Sequence, residues 1–308
     1  MKVNKDRQLV RKKYYLKDNL LYCYRKGEDY PSEMIFMLGC FIEPIQEISR
    51  YGFIISHDYK SPLKLFGLSR DDRDDWIKAL TEASHTIQID DDYTFHMVIG
   101  TGKFSNVYRA IHKQTYESVA IKVIEKATLD EQETEFLGTE LAIIKVIEHP
   151  YITEVIDVYE DAKKIYIVME IIDGGELFEY VVKNMVLSES EAALIGYQIL
   201  STLGYMHEAS VVHRDLKPEN ILIELDEKTG FVKGIRITDF GLSKMMNPNK
   251  KYNEMCGTLA YVAPEVLNQE GYNKEVDYWS AGVIIYLLLC GQLPFDSDSK
   301  TEIFQKTL

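Results

Sequence analysis

The sequence predicts an α+β chain of two domains, and three observations carry that reading. Residues 1 to about 85 read as short strands closed by a single helix. Residues 93 to 308 begin with strands, pass through one helix, return to strands and then turn mostly helical. Between them, Thr-Ile-Gln-Ile-Asp-Asp-Asp over 86–92 is polar and short, a junction that keeps its neighbours close together.

In the first region Val10 to Leu16 and Leu20 to Tyr24 flank the turn Lys17-Asp18-Asn19, a hairpin signal. Phe53 to Ile55 and Leu63 to Phe66 are two later strands. Ser69-Arg70-Asp71-Asp72 opens a helix, with an N-cap serine and acids in the first turn. Trp76, Ile77 and Leu80 fall on one face of it. In the second region the apolar run Val283 to Cys290 is too short to span a bilayer and predicts a buried helix.

Bulk composition narrows the function. At 308 residues and 46 % hydrophobic content the chain can fill two cores. A net charge of −14 disfavours nucleic acid and suits basic partners such as Arg- or Lys-bearing peptides. Cys23, Cys40, Cys256 and Cys290 match neither a zinc pattern nor a disulfide framework, so free thiols in a reducing compartment are expected. The charged start Met1 to Arg7 is no secretory signal. A cytoplasmic protein is expected, with any membrane contact peripheral.

The chemistry sits in the second region. Gly100-Thr101-Gly102-Lys103-Phe104-Ser105-Asn106-Val107 suggests a tight strand–turn–strand whose backbone can approach phosphates, with Ser105 where a third glycine would complete the pattern. Lys122 lies inside the apolar strand Val119 to Ile124. It is either an edge lysine in water or a lysine reaching phosphates and a helix carboxylate, for which Glu140 is the candidate. His213-Arg214-Asp215-Leu216-Lys217-Pro218-Glu219-Asn220 follows, then Thr238-Asp239-Phe240-Gly241 and Ala263-Pro264-Glu265. Phosphoryl transfer needs positioning and charge neutralisation more than covalent help. Asp215 can take a hydroxyl proton, Lys217 can neutralise the moving group, and Asn220 and Asp239 offer hard oxygens for Mg²⁺. Six such motifs in this order do not arise together by chance.

Residues 93–308 thus resemble the protein kinase family. The resemblance implies a bilobal fold, a β-rich small lobe over an α-helical large lobe, with ATP in the cleft. Lys217, two residues after Asp215, and Thr258 are similar to the Ser/Thr form. Asp239 to Lys244, Tyr261 to Leu267, Asp277 to Gly282 and Leu288 to Phe295 resemble the calcium/calmodulin-dependent group. That resemblance implies Met169 as gatekeeper, Glu170 and Ile172 as hinge groups for adenine, Val107, Ala120 and Leu222 around the ring, and Glu176 at the ribose. Glu176 and Glu219 would face Arg upstream of the target residue. Glu254 stands where upstream-activated relatives carry Thr or Ser; a fixed carboxylate there would pair with cations such as Arg214 in place of phosphate, or is a solvated loop acid of no consequence.

Residues 1–85 resemble a pleckstrin-homology domain, a β-barrel or sandwich with a C-terminal helix, on the hairpin Val10 to Tyr24 and on Trp76. The usual first strand is expected to be incomplete. Residues 1–30 hold nine Lys/Arg and four Asp/Glu, which suits a phosphoinositide, with Lys5, Arg11, Lys12 and Arg25 as head-group candidates; a protein ligand or a merely solvated basic hairpin are the other readings. Relatives continue for several helices past Leu308, so the large lobe is expected to be truncated and Glu265 to lack its arginine. Three functions stay open: an active kinase of this group recruited by its N-terminal module, a kinase of the lipid-recruited basophilic type, and a catalytically silent fragment or adaptor binding phosphoinositide or protein.

Overall fold

The computed structural model describes residues 2–3, 9–17, 19–25, 27, 31–37, 39–47, 50–57, 60–84, 89–102, 105–161, 163–247 and 250–308. Lys5, Asp18, Lys103 and Phe104 lie outside the described residues. The chain divides into two compact units that cut across the sequence domains: 1–142 with 156–169, and 143–155 with 170–308.

The first unit opens with eight strands: β1 (Lys2–Val3), β2 (Leu9–Val10), β3 (Lys13–Lys17), β4 (Leu20–Tyr24), β5 (Pro31–Phe36), β6 (Phe41–Glu47), β7 (Arg50–His57) and β8 (Lys60–Phe66). They form sheets of order β3-β4-β5 and β2-β1-β8-β7-β6. The strand read as Val10 to Leu16 is two elements. Leu9–Val10 pairs with β1, while Lys13–Lys17 pairs with β4 through Lys17↔Leu20. The hairpin itself forms, with Lys17 in β3 rather than in the turn.

Helix α1 (Arg70–Ala83) starts as its capping signal requires, with Ser69 Oγ accepting from the Asp72 amide at 3.1 Å. Leu80 is fully buried among Leu21, Phe53 and Leu65, and Trp76 and Ile77 pack on the same cluster. Each apolar residue buried this way contributes roughly 1.5–3 kcal/mol, and this cluster joins β3 through β8 under the helix.

The polar junction is partly ordered: α2 (Ile89–Asp92) buries Ile89 and leads into β9 (Tyr93–Thr101), β10 (Ser105–His112) and β11 (Ser118–Glu125). After α3 (Glu131–Ile144) come β12 (Val155–Glu160) and β13 (Lys164–Glu170), and the sheet order is β12-β13-β11-β10-β9. Ala110, Ile121 and Val168 form its dry centre.

The second unit holds α4 (Leu177–Asn184), α5 (Glu189–Glu208), β14 (Val211–Val212), β15 (Ile221–Leu225), β16 (Val232–Ile237), β17 (Lys244–Met245), α6 (Pro264–Leu267), α7 (Glu275–Cys290) and α8 (Lys300–Thr307). The run Val283 to Cys290 ends α7, and it is buried on one face only. Val283, Ile284 and Leu288 are inside, whereas Leu289 and Cys290 are exposed. Glu265 is half-buried. Among the described residues no helix is long and apolar enough to cross a membrane, and none of the four cysteines is in a disulfide.

Candidate active site

The sequence-predicted site residues fall into two groups, one in each compact unit. In the first unit, Gly100, Val107 and Lys122 lie in one row across β9, β10 and β11, because Val107 pairs with both Gly100 and Lys122. Directly opposed residues share a sheet face, and so do residues two apart, so Val107, Lys122 and Ala120 present one surface. Gly102 donates to the Ser105 carbonyl at 2.7 Å, which folds the chain back between β9 and β10. Met169 is half-buried on β13.

The Lys122 ammonium meets Glu140 Oε1 of α3 at 2.8 Å, with side chains 18 % and 9 % exposed. An ammonium in this apolar strand is tolerable because it is paired with Glu140.

In the second unit the loop between β14 and β15 carries Asp215, Lys217 and Asn220. Lys217 Nζ donates to Asp215 Oδ2 at 2.8 Å and to Thr258 Oγ1 at 2.9 Å, and Thr258 Oγ1 donates to Asp215 Oδ1 at 2.7 Å. The three side chains close a triangle around one carboxylate. Asn220 Nδ2 donates to the Asp215 carbonyl at 2.8 Å. The β15–β16 hairpin begins with Ile221↔Ile237, and Thr238 donates to the Asn220 carbonyl at 3.0 Å, so Asn220 and Asp239 are brought to the same end of the hairpin.

Arg214 and Asp239 both have positive φ, 68° and 61°, a costly state for residues bearing a Cβ. At Arg214 the compensation is visible. The fully buried carboxylate of Asp277 on α7 accepts from the amides of His213 and Arg214 and from His207 Nε2, each at 2.9 Å. Gly257 (φ +98°) passes so close that a Cβ there would lie 2.7 Å from the Arg214 carbonyl, so only glycine fits.

The Arg214 guanidinium donates to Glu254 Oε2 at 2.6 Å, to the Leu242 carbonyl at 2.6 Å and to the Tyr272 hydroxyl at 3.3 Å. Lys244 is a second cation on Glu254. Burial pushes the Glu254 carboxyl up, but the hydrogen bonds and charges of Lys244 and Arg214 outweigh it and hold it below the usual range.

Glu176 is the N-cap residue of α4 and bridges to Leu222 of β15. Burial, then the neighbouring charges of Glu179 and Glu219, raise its carboxyl above the ordinary value. Glu170 accepts from Arg236 Nε at 2.9 Å, and its amide donates to the Glu154 carbonyl. Ile172 follows it in the loop before α4.

The metal donors fit magnesium. Mg²⁺ keeps waters and takes one or two protein oxygens plus substrate phosphates rather than an all-protein cage. Asn220 and Asp239 would supply two such oxygens.

Sequence reasoning assigned no contact to Asp277, Tyr272 or Lys244 and used Thr258 only as a class marker. Thr258 is 43 residues from Asp215, and only the fold brings them together.

Comparison with known proteins agrees with this chemistry. The family described as Protein kinase domain matches residues 93–308. Myosin light chain kinase A of Dictyostelium discoideum is 43 % identical over 221 residues, 72 % of this chain and 74 % of that protein. A probable myosin light chain kinase of the same organism is 43 % identical over 221 residues, covering 56 % of its length. The mouse serine/threonine-protein kinase DCLK3 is 39 % identical over 214 residues, covering 70 % of this chain and 26 % of its own. The chain belongs to the protein kinase family. Within it, the chain is a serine/threonine protein kinase.

Proposed function

We propose that this kinase moves the γ-phosphoryl group of Mg-ATP to Ser/Thr hydroxyls of proteins carrying upstream Arg, as a member of the calcium/calmodulin-dependent-like group. The triangle of Asp215, Lys217 and Thr258 carries this reading. The substrate hydroxyl oxygen forms a bond to the γ-phosphorus while the bond from that phosphorus to the bridging oxygen of ADP breaks. The hydroxyl proton passes to Asp215, and Lys217 offsets charge on the moving group. Lys122, set by Glu140, would hold the α/β-phosphates, and Asn220 and Asp239 would hold a magnesium ion, which would supply charge neutralisation for the phosphates. Gly100, Gly102, Val107, Ala120, Met169, Glu170, Ile172, Glu176 and Leu222 serve the nucleotide. Glu176 and Glu219 attract the substrate arginine.

The N-terminal domain is, in this reading, a pleckstrin-homology-like recruiting module. A cavity of about 560 Å³ supports it, with Arg11, Lys12 and Lys13 beside Phe66, Leu68 and Trp76. Arg11, Lys12 and Lys13 over an apolar floor suit an anionic lipid, with Asp72 the one acid among the described lining residues; Arg25 is not among them. Sedimentation with phosphoinositide vesicles, lost in Arg11→Glu/Lys12→Glu, tests the module. Binding that persists in that variant overturns it.

Transfer of labelled phosphate from Mg-ATP to a Ser peptide with Arg at the third upstream position, set beside the Asp239→Ala variant, tests the catalytic reading. Transfer in the parent alone supports it. Equal signal in both, or none in either, favours the adaptor reading.

A further inference from the structure

Two neighbouring residues at the end of β12 hold separate parts of the N-terminal region. Tyr159 shares a core cluster with Ile89, and its hydroxyl donates to Asp92 Oδ2 at 2.9 Å. Lys113 adds a bond from its amide to the Asp92 carbonyl at 2.7 Å and one from its ammonium to the Asp90 carbonyl. Helix α2 is therefore clamped to the five-stranded sheet.

Glu160, the next residue, is nearly dry. Its carboxylate meets Lys126 at 2.5 Å, with side chains 2 % and 5 % exposed, and Lys126 also donates to the Asp161 carbonyl at 2.6 Å. A buried ion pair depends on its surroundings, because water admitted to one side changes both its desolvation and its attraction. Part of the cover comes from the N-terminal domain. A Cβ on Gly39 would sit 3.0 Å from Glu160 Cδ and 3.1 and 3.2 Å from its oxygens, so the Gly39 backbone rests on the carboxylate.

The turn that carries Gly39 is built into its own domain. Met37 donates to the Asn19 carbonyl at 2.8 Å, Cys40 to that of Met37 at 3.0 Å and Gly39 to that of Ser84 at 3.3 Å, while the Met37 and Cys40 side chains are buried. Gly39 thus links the module core, the end of α1 and the surface of the sheet.

We infer that the N-terminal domain is docked on the end of β12 through Gly39 and Glu160, as a fixed part of the small-lobe fold rather than a tethered head. The partner this surface of the sheet recognises is the chain's own turn around Gly39, and the Lys126–Glu160 pair is the polar centre of that interface. Lys126 directly follows β11, the strand of Lys122, so the dock also steadies the strand that presents the catalytic ammonium. The interface stands on contacts within the first unit and does not depend on the phosphoryl-transfer reading.

Amide hydrogen exchange on the full chain tests it, with Gly39→Glu, Gly39→Lys and Gly27→Glu. Gly27 has a similar φ of +83° but nothing within 4 Å, so it carries the same backbone strain without the contact. Exchange over 118–126 and 155–160 is expected to rise about tenfold in Gly39→Glu, less in Gly39→Lys, whose charge Glu160 attracts, and not in Gly27→Glu. If those segments exchange in Gly39→Glu as they do in Gly27→Glu, the inference is overturned. The same result overturns it even where the N-terminal domain itself has lost protection, because a docked domain that unfolds must expose β12.

Discussion

Arg214 and Glu254 form an ion pair of 2.6 Å in which the arginine side chain is 3 % exposed and the carboxylate 50 %. Arg214 occupies the strained turn before Asp215, and Glu254 lies on the loop that leads to Gly257 and Thr258. The pair therefore ties that loop to the backbone of the catalytic loop without phosphate. Glu254→Ala is expected to slow phosphoryl transfer about tenfold, while phosphatase treatment of the parent changes nothing. Steady-state rates on an Arg-bearing Ser peptide check both; an unchanged rate in Glu254→Ala removes the role. The stability effect is small, about 1 kcal/mol or less, because solvent screens the exposed partner. Its sign follows from the depressed carboxyl. The contribution is fully present above the unfolded value near 4.5 and is lost as pH falls through the lower folded value.

The Lys122–Glu140 pair predicts a separation of stability from activity. Lys122→Met leaves Glu140 buried without this cation and is expected to cost about 3 kcal/mol and at least about a hundredfold in rate. Adding Glu140→Leu removes the stranded carboxylate, so thermal stability should recover while the rate stays low. Denaturant titration alongside peptide phosphorylation reads the two quantities. Recovery of activity in the double variant would mean that the ammonium holds only the fold.

How far the sequence reveals this site depends on chain distance. His213 to Asn220 is a contiguous stretch, and the local backbone alone sets Asp215, Lys217 and Asn220 together, so their chemistry is readable from residue type and spacing. Lys122 with Glu140 is readable because a cation in an apolar strand demands a partner. Asp277, Tyr272 and Lys244 are not: each acts on Arg214 or Glu254 through a contact formed only when distant segments pack. The N-terminal region divides the same way. The turn after Lys17 and the Ser69 cap are local and visible, whereas the break between β2 and β3 follows from pairing with β1. The seat of Gly39 on Glu160 joins residues more than a hundred positions apart, and a lone glycine carries no sequence signal for it.

Thr258 is expected to contribute through its two hydrogen bonds. Thr258→Ala removes the bridge between Asp215 and Lys217 and should lower kcat about tenfold with little change in the KM for ATP. Thr258→Ser keeps the hydroxyl and should restore most of the rate. A serine variant as slow as the alanine one would place the effect in the lost methyl packing instead.

The acidic group of Glu176, Glu179 and Glu219 predicts a pH-dependent substrate preference. Glu176 titrates above its ordinary value through burial, then through Glu179 and Glu219. Its folded state therefore binds a proton more tightly than the unfolded chain, so its cost to stability is present above the raised value and is relieved as pH falls through it. The same proton removes charge that attracts a guanidinium. The KM advantage of a peptide with upstream Arg over its Ala counterpart should shrink as pH is lowered toward the carboxylate range. Glu176→Gln should reproduce the shrunken advantage at neutral pH, by about tenfold, because a charge-assisted hydrogen bond to Arg is replaced by a neutral one. Paired KM measurements on the two peptides decide it. If Glu176→Gln leaves their ratio unchanged while raising the KM for ATP, Glu176 serves the ribose alone, and the discrimination for Arg must come from Glu219.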